Sequence, residues 1–194
     1  MKTLLPLALA LSLTGCISLA PKPPASLLTL TPAATGGVAG DRTAAPGQTI
    51  SVATPIVPES LQTERVPVQA SETSIAYLQD ARWVATPDRL FGRLLSDVIA
   101  ARTGRVVLDA LQLDVSPGVR LTGRLDRFGI DAASSEAVVA FEAAVARDAG
   151  AVVTRRFEAR VPVAAVDVAN AGPALNQAAN TVAVQVADWV GGLR

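Results

Sequence analysis

The stretch Thr86-Pro87-Asp88-Arg89-Leu90-Phe91-Gly92-Arg93-Leu94-Leu95-Ser96-Asp97-Val98-Ile99-Ala100-Ala101-Arg102-Thr103-Gly104 decides the architecture. Thr86 suits a helix N-cap, and Pro87 suits the first helical position, where a missing N–H costs nothing. Asp88 favours the positive end of the helix dipole. Leu90, Phe91, Leu94, Leu95, Val98 and Ile99 then recur at helical spacing on one face, with Arg89, Arg93, Asp97 and Arg102 mainly off it. Gly104 is placed to close the helix in a left-handed turn. A helix with one apolar stripe must bury it against a second layer, and the flanking sequence supplies strands.

Upstream, Ile50-Ser51-Val52-Ala53 alternates as a half-buried strand does, and Thr54-Pro55-Ile56-Val57-Pro58 breaks it. The prolines confine that stretch to a sheet edge or to a strand end. Arg65-Val66-Pro67-Val68-Gln69 and Ser74-Ile75-Ala76-Tyr77-Leu78 read as two short strands around a polar turn at Ser71-Glu72-Thr73. Downstream, Arg105-Val106-Val107-Leu108 and a turn at Ser116-Pro117-Gly118 precede a long strand. Val119, Leu121 and Leu125 face one way and Arg120, Thr122 and Arg124 the other. Beyond Asp126-Arg127 the apolar phase passes to Phe128 and Ile130, a one-residue slip of the kind a β-bulge produces. Glu136 to Arg147 and Val153 to Val161 alternate again around Arg147-Asp148-Ala149-Gly150, which makes an antiparallel meander. The alanine content of residues 132–149 also admits a helix, but the alternation favours a strand. Pro173 opens a last helix, with Leu175, Ala178, Ala179, Val182, Val186, Trp189 and Val190 on one face. Asn176, Gln177, Asn180, Gln185 and Asp188 lie on the other, and Gly191-Gly192 stops it. The fold class is therefore α+β: a two-layer domain with a mixed, mainly antiparallel sheet and two amphipathic helices packed on one face.

The amino terminus carries a different message. Met1-Lys2-Thr3, an apolar run from Leu4 to Leu13, and small residues at Thr14 and Gly15 describe a secretory signal. The run is shorter than the roughly 20 residues of a spanning helix. Leu13, Thr14, Gly15 and Cys16 resemble the bacterial lipobox, which implies diacylglycerol on the Cys16 thiol and cleavage before it. Cys16 is the single cysteine of the chain, and the lipobox accounts for it; the simpler alternative is an ordinary signal with a chance cysteine. Ile17 follows, rather than the aspartate that resembles an inner-membrane retention signal, which points to the periplasmic face of the outer membrane. The division is thus residues 1–15 signal peptide, 16–47 lipid-anchored tether and flexible linker with a short strand at 27–31, and 48–194 globular domain.

Composition narrows the chemistry. Loss of residues 1–15 removes one lysine and no acid, so 17 basic residues become 16 against 17 acidic, a formal charge of −1. No strong field draws such a domain to nucleic acid or to anionic headgroups. With no histidine the commonest general base and the usual zinc ligand are missing. The only lysines are Lys2 and Lys22, outside the domain, so a Ser-Lys dyad is absent as well. A hydrolase would run on carboxylates alone, such as Asp126 with Asp131 or Glu136 with Glu142; solvated strand charges explain these pairs more simply. The expectation is a protein that is not an enzyme and needs no cofactor or metal.

Taken together, the lipobox, Leu28-Thr29-Leu30-Thr31-Pro32, Ile50-Ser51-Val52 running to Val57-Pro58, Leu61 through Arg65-Val66, and above all Tyr77-Leu78-Gln79-Asp80-Ala81-Arg82-Trp83 before an amphipathic helix resemble the ABC-type transport auxiliary lipoproteins, the PqiC-type (YmbA-like) family. Pro67-Val68-Gln69-Ala70 departs from the larger aliphatics usual there. The resemblance implies an accessory to an ABC transporter permease and ATPase and to an MCE-domain periplasmic protein that move lipid between the membranes. The partners it implies are those proteins, the membrane through the N-terminal lipid, phospholipid, and further copies of the chain. The competing readings are a structural lipoprotein bracing another envelope complex and a carboxylate-only hydrolase.

Tyr77, Arg82 and Trp83 are candidate partner-docking residues, since aromatics and arginine are favoured at interface hot spots; the alternative is that Trp83 packs at the start of the helix and Arg82 pairs with Asp80 or Asp88. Arg120, Arg124, Arg156 and Arg160 either line a sheet face for phosphate headgroups or an acidic partner, or belong to a solvated ion-paired face. Trp189 either reaches a membrane or neighbouring subunit or packs in the core.

Overall fold

The computed structural model describes residues 26–33, 43–45, 48–109, 118–147 and 152–193. The lipobox, the first part of the tether, most of the linker, and the turns expected at Ser116-Pro117 and Asp148-Ala149-Gly150 lie outside these residues. Among the described residues seven strands form one mixed sheet. They are β1 (Ile50–Val52), β2 (Arg65–Ser71), β3 (Ser74–Arg82), β4 (Val107–Asp109), β5 (Val119–Asp131), β6 (Glu136–Arg147) and β7 (Val153–Pro162). Two helices, α1 (Pro87–Thr103) and α2 (Val168–Gly192), pack on the sheet and against each other.

β5 organises the sheet. One of its edges pairs along its whole length with β6, which pairs in turn with β7, both antiparallel. Its other edge is shared: β1 runs parallel to the first part and β2 parallel to the end. β3 closes one side as the antiparallel partner of β2, and β4 the other as the parallel partner of β1. The register shift between Leu125 and Arg127 is the expected bulge. Val119, Leu121 and Leu125 are buried before it and Phe128 and Ile130 after it. The alanine-rich segment is strand. Its inward Ala137 and Ala143 face a helix that is itself lined by buried Ala171, Ala174, Ala178, Ala179, Ala183 and Ala187. Small side chains in both layers let helix and sheet approach closely. Gly123 makes room within the sheet itself, because a Cβ there would collide with the Phe141 ring of the neighbouring strand.

α1 begins and ends as its sequence dictates, with one difference. Thr86 is extended but caps through its carbonyl, which accepts from the N–H groups of Arg89 and Leu90 (both 3.1 Å), and its hydroxyl makes no cap bond. Gly104 is left-handed (φ 68°) and donates its N–H to the Ala100 carbonyl at 3.2 Å. Phe91 stacks edge-on against Phe141 at 5.3 Å, while Trp83 packs on Phe128 at 5.3 Å. These four rings are fully buried and form the aromatic centre of the core.

Several expectations are corrected. α2 starts at Val168 rather than at Pro173. Asp167 caps it by accepting from the Asn170 N–H at 2.9 Å, which fixes the first turn before the proline arrives. Pro173 then lies inside the helix; its missing donor would otherwise serve a first-turn carbonyl, and Gly172 before it leaves room for the ring. Gly191 and Gly192 are the last helical residues instead of the stop. β1 is flanked on both sides by β4 and β5, so the prolines mark its end and not a sheet edge. Beyond β1 the chain keeps bonding to β5 at residues that retain their N–H, Ala53 to Leu121 and Ile56 to Gly123. The strand expected at 27–31 is reduced to one parallel bridge between Leu28 and Trp83. Asn180, expected on the polar face of α2, is buried.

Candidate functional site

The burial of Asn180 and the loss of the 27–31 strand have one cause. Residues 28–33 form a strap that lies across the domain and is bonded to it at both ends. At one end the Leu28 N–H donates to the Arg82 carbonyl (2.7 Å) and its carbonyl accepts from the Val84 N–H (2.9 Å). The Leu28 side chain sits in a notch at Gly172, where an added Cβ would lie 2.9 Å from Leu28 Cδ2. At the other end two asparagines one helical turn apart on α2 read the strap backbone. Asn176 Oδ1 accepts from the Thr31 N–H (2.9 Å) and Asn180 Oδ1 from the Ala33 N–H (2.7 Å). Asn180 Nδ2 donates to the Thr31 carbonyl (2.9 Å) and to the Asn176 carbonyl (2.8 Å). A buried amide is tolerated only when its donors and acceptors are used, and here the strap uses them. The sequence signal was present, an Asn-x-x-x-Asn pair on a helix face, but nothing in it named the strap as the partner.

Between the strap and the outward side of α1 lies an open cleft of about 660 Å³. Thr29, Leu30, Thr31 and Pro32 of the strap line it on one side, and Val84 with Arg89, Leu90, Arg93, Leu94 and Asp97 of α1 on the other. Val84 is 52% exposed, unusual for a valine beside the first turn of a core helix.

The three candidate docking residues divide. Trp83 is completely enclosed, and its backbone N–H donates to the Glu64 carbonyl at 2.7 Å. It offers no area to a partner, and the docking role expected for it is withdrawn. Tyr77 is half-buried on edge strand β3, under the Arg65 guanidinium at 4.2 Å from the ring centre. Arg82 is exposed and pairs with Glu64 at 3.8 Å, not with Asp80 or Asp88. Asp80 is left-handed (φ 56°), in an irregular part of β3 where the register with β2 shifts. Trp189 is half-buried and packs on Phe157 at 5.6 Å.

The sheet face away from the helices is an ion-pair lattice. Arg124 pairs with Asp126 and Glu142, Arg156 with Asp126 and Glu158, and Arg160 with Glu158 and Glu136. Arg124, Arg156 and Arg160 are therefore engaged with carboxylates, whereas the exposed Arg120 has no ion pair among the described residues. Burial opposes the charge on Glu158, but hydrogen bonds from Arg156 and Arg160 outweigh it and hold this carboxyl below its ordinary range. Arg127 bonds Asp131 at 3.0 Å and lowers its pKa, helped by the Ser134 and Ala133 N–H groups of the β5–β6 turn. The hydrogen bond that the Arg124 guanidinium donates to Asp126 raises the Arg124 pKa above its ordinary value. Asp126, Asp131, Glu136 and Glu142 thus each face an arginine rather than each other. Among the described residues no cluster of three or more His, Cys, Asp or Glu is placed to hold a metal, and no helix is long and apolar enough to cross a membrane.

The described residues thus form a two-layer α+β domain whose amino-terminal segment is strapped onto its last helix. The sequence model of the ABC-type transport auxiliary lipoprotein component matches residues 28–187, from the strap to α2, and the chain belongs to that family. It is accordingly an auxiliary lipoprotein of an ABC-type transport system. The fold is similar to that of protein XCC0632 from Xanthomonas campestris, at 19% identity over 86% of this chain and 92% of that one, with a TM-score of 0.65. An uncharacterized protein of known structure superposes equally well, with a TM-score of 0.65 at 16% identity over 75% of this chain and 93% of its own. The PelC dodecamer from Paraburkholderia phytofirmans is more distant, with a TM-score of 0.45 at 15% identity. No curated protein matches the sequence.

Proposed function

We propose that this protein is the non-catalytic, outer-membrane lipoprotein of an MCE/ABC-type lipid transport system. It is anchored through acyl chains on Cys16, faces the periplasm, and docks the periplasmic MCE partner at the membrane. The observation that supports this most is the family match from Leu28 onward, which begins at the strap, eleven residues beyond the first residue after Cys16 (28 − 17 = 11). Lipid on the cysteine would hold the domain at the bilayer, and each buried methylene contributes about 0.8 kcal/mol to that hold. ATP hydrolysis falls to the transporter. Docking falls to the exposed surface, where Tyr77 and Arg82 remain candidates on edge strand β3.

Affinity purification from cross-linked membranes, with mass spectrometry of proteins and lipids, tests the reading. The expected result is acylated Cys16 as the mature amino terminus and co-purification of an MCE-domain protein. An unmodified thiol, or recovery with a different envelope complex and no MCE protein, would replace the reading with that of a structural brace. Cys16→Ala is expected to leave the domain folded while transport fails, because the effective concentration at the membrane collapses.

A further inference from the structure

We propose that the cleft between the strap and α1 is a binding site for a single anionic phospholipid, with the phosphate between Arg89 and Arg93 and an acyl chain along Leu30, Val84 and Leu90. Arg89 and Arg93 are four residues apart on one helix face, about 6 Å along the axis, a spacing that one phosphodiester spans. Both are exposed and line the same cleft, and among the described residues neither lies within ion-pair distance of a carboxylate. Arg124, Arg156 and Arg160 are all paired; Arg120 and Arg155 also have no carboxylate among the described residues, and what distinguishes Arg89 and Arg93 is that both line one cleft with an apolar side. Like charges at this spacing repel, and an anion between them would relieve the repulsion. Asp97 on the same side of the cleft favours a monoanion over a more highly charged ligand.

The apolar half points to an acyl chain rather than to a peptide. The cleft volume of about 660 Å³ falls within the about 300–1,000 Å³ of small-molecule sites. A peptide adding itself as a strand would find only the short run of Thr29, Leu30 and the Pro32 carbonyl to pair with, because the N–H and carbonyl of Leu28 and Thr31 and the N–H of Ala33 are already taken. The side chains on that wall are Leu30 and Pro32, with the hydroxyl-bearing Thr29 and Thr31 beside them. Because the Asn176–Asn180 latch holds the strap in place, the site exists only while the strap is docked.

The inference rests on the proposed membrane anchoring for its source of lipid, but its test is read on the protein alone. The full-length lipidated protein is reconstituted in phosphatidylcholine vesicles carrying a small fraction of phosphatidylglycerol with a photoactivatable acyl chain, and cross-linked peptides are mapped. Cross-links are expected on residues 29–32 and 84–94. They are expected to fall about tenfold in the Arg89→Glu/Arg93→Glu double variant and in Asn180→Ala, and to be weak with a photoactivatable phosphatidylcholine. Thermal melting of the arginine variant is expected to match the parent, since both side chains are exposed. Cross-links confined to residues 16–27, or equal for both headgroups, or unchanged in the variants, would overturn the proposal. Excess inorganic phosphate that abolished the cross-links would make the site one for a free phosphate instead, and would overturn it too. Any of these results with the MCE partner still co-purifying leaves the docking role intact.

Discussion

Asn180→Ala isolates what the strap contributes. The substitution removes the acceptor of the Ala33 N–H and the donor to the Thr31 carbonyl, and leaves Asn176 and the Leu28 contacts in place. Each lost bond contributes about 0.5–1.5 kcal/mol net, so the latch loses about 1–3 kcal/mol. The strap can peel away and hydrate its backbone without opening the core, so this cost appears first as local opening. At about 1.4 kcal/mol per factor of ten, amide exchange at Thr31 and Ala33 is expected to accelerate roughly tenfold to a hundredfold, while amides of β6 and the middle of α2 keep their protection. Asn180→Asp makes a sharper control. It keeps the acceptor for Ala33 but sets a carboxylate oxygen against the Thr31 carbonyl, so it is expected to loosen the strap through repulsion. Unchanged exchange at residues 31–33 in Asn180→Ala would refute the latch. A uniform loss of protection through β6 would show instead that the strap and core open as one unit.

Trp83→Ala is expected to destabilise by about 3–5 kcal/mol in denaturant unfolding, because the ring is fully buried against Phe128; a small effect would mean the site collapses freely. Gly123→Ala is expected to cost about 1–3 kcal/mol through overpacking, since Phe141 would have to move from Gly123 while wedged against Phe91; a neutral result would show slack in the sheet. Acid should weaken the fold through Asp131, Glu158 and Asp167, whose pKa values are lowered in the folded protein from ordinary values of 3.8, 4.5 and 3.8. A depressed carboxylate contributes stability above its unfolded pKa and loses it as pH falls through the folded value. Melting temperature should therefore hold from neutral pH to about 5 and fall below about 4, with a shallower fall in Asp131→Asn.

Local sequence carried the elements because their physics is local. The α1 stripe, its Pro87 start and Gly104 stop, the phase slip at Asp126, and the three-strand meander each follow from patterns within a dozen residues. What was not legible depended on distant partners. Pro173 read as a helix start because its rule concerns the missing N–H, whereas Asp167 had already capped the helix six residues earlier. Leu27-Leu28-Thr29-Leu30 read as a strand because its composition is that of one, but the available partner was a single residue, Trp83. Trp83 itself read first as packing at the start of the helix and second as a docking residue, since a tryptophan before an amphipathic helix suits both. Asn180 looked like solvent-face polarity, and only the strap, 147 residues away in sequence from its hydrogen-bonding side chain, shows otherwise. The candidate cleft was invisible for the same reason: one wall comes from a segment read as tether.

The latch also changes how far the domain can reach from the membrane. If the lipid sits on Cys16 and the strap begins at Leu28, about 11 residues separate them, a span of at most about 35–40 Å. Were the segment free to the start of β1 at Ile50, the limit would exceed about 100 Å. The strap thus converts a long leash into a short one and fixes the side of the domain from which it leaves. Two insertions separate these cases. Ten Gly-Ser residues placed after Ala20 lie before the latch and should raise the domain from the bilayer, by up to about 30 Å at full stretch. The same insert after Gly37 lies behind the latch and should leave its height unchanged. Neutron reflectometry of the lipidated protein on a supported bilayer reads the height directly. Equal effects of the two inserts would mean the strap is not docked in the anchored protein, whereas a raised height for the first insert alone would establish the strap as the element that sets the working distance.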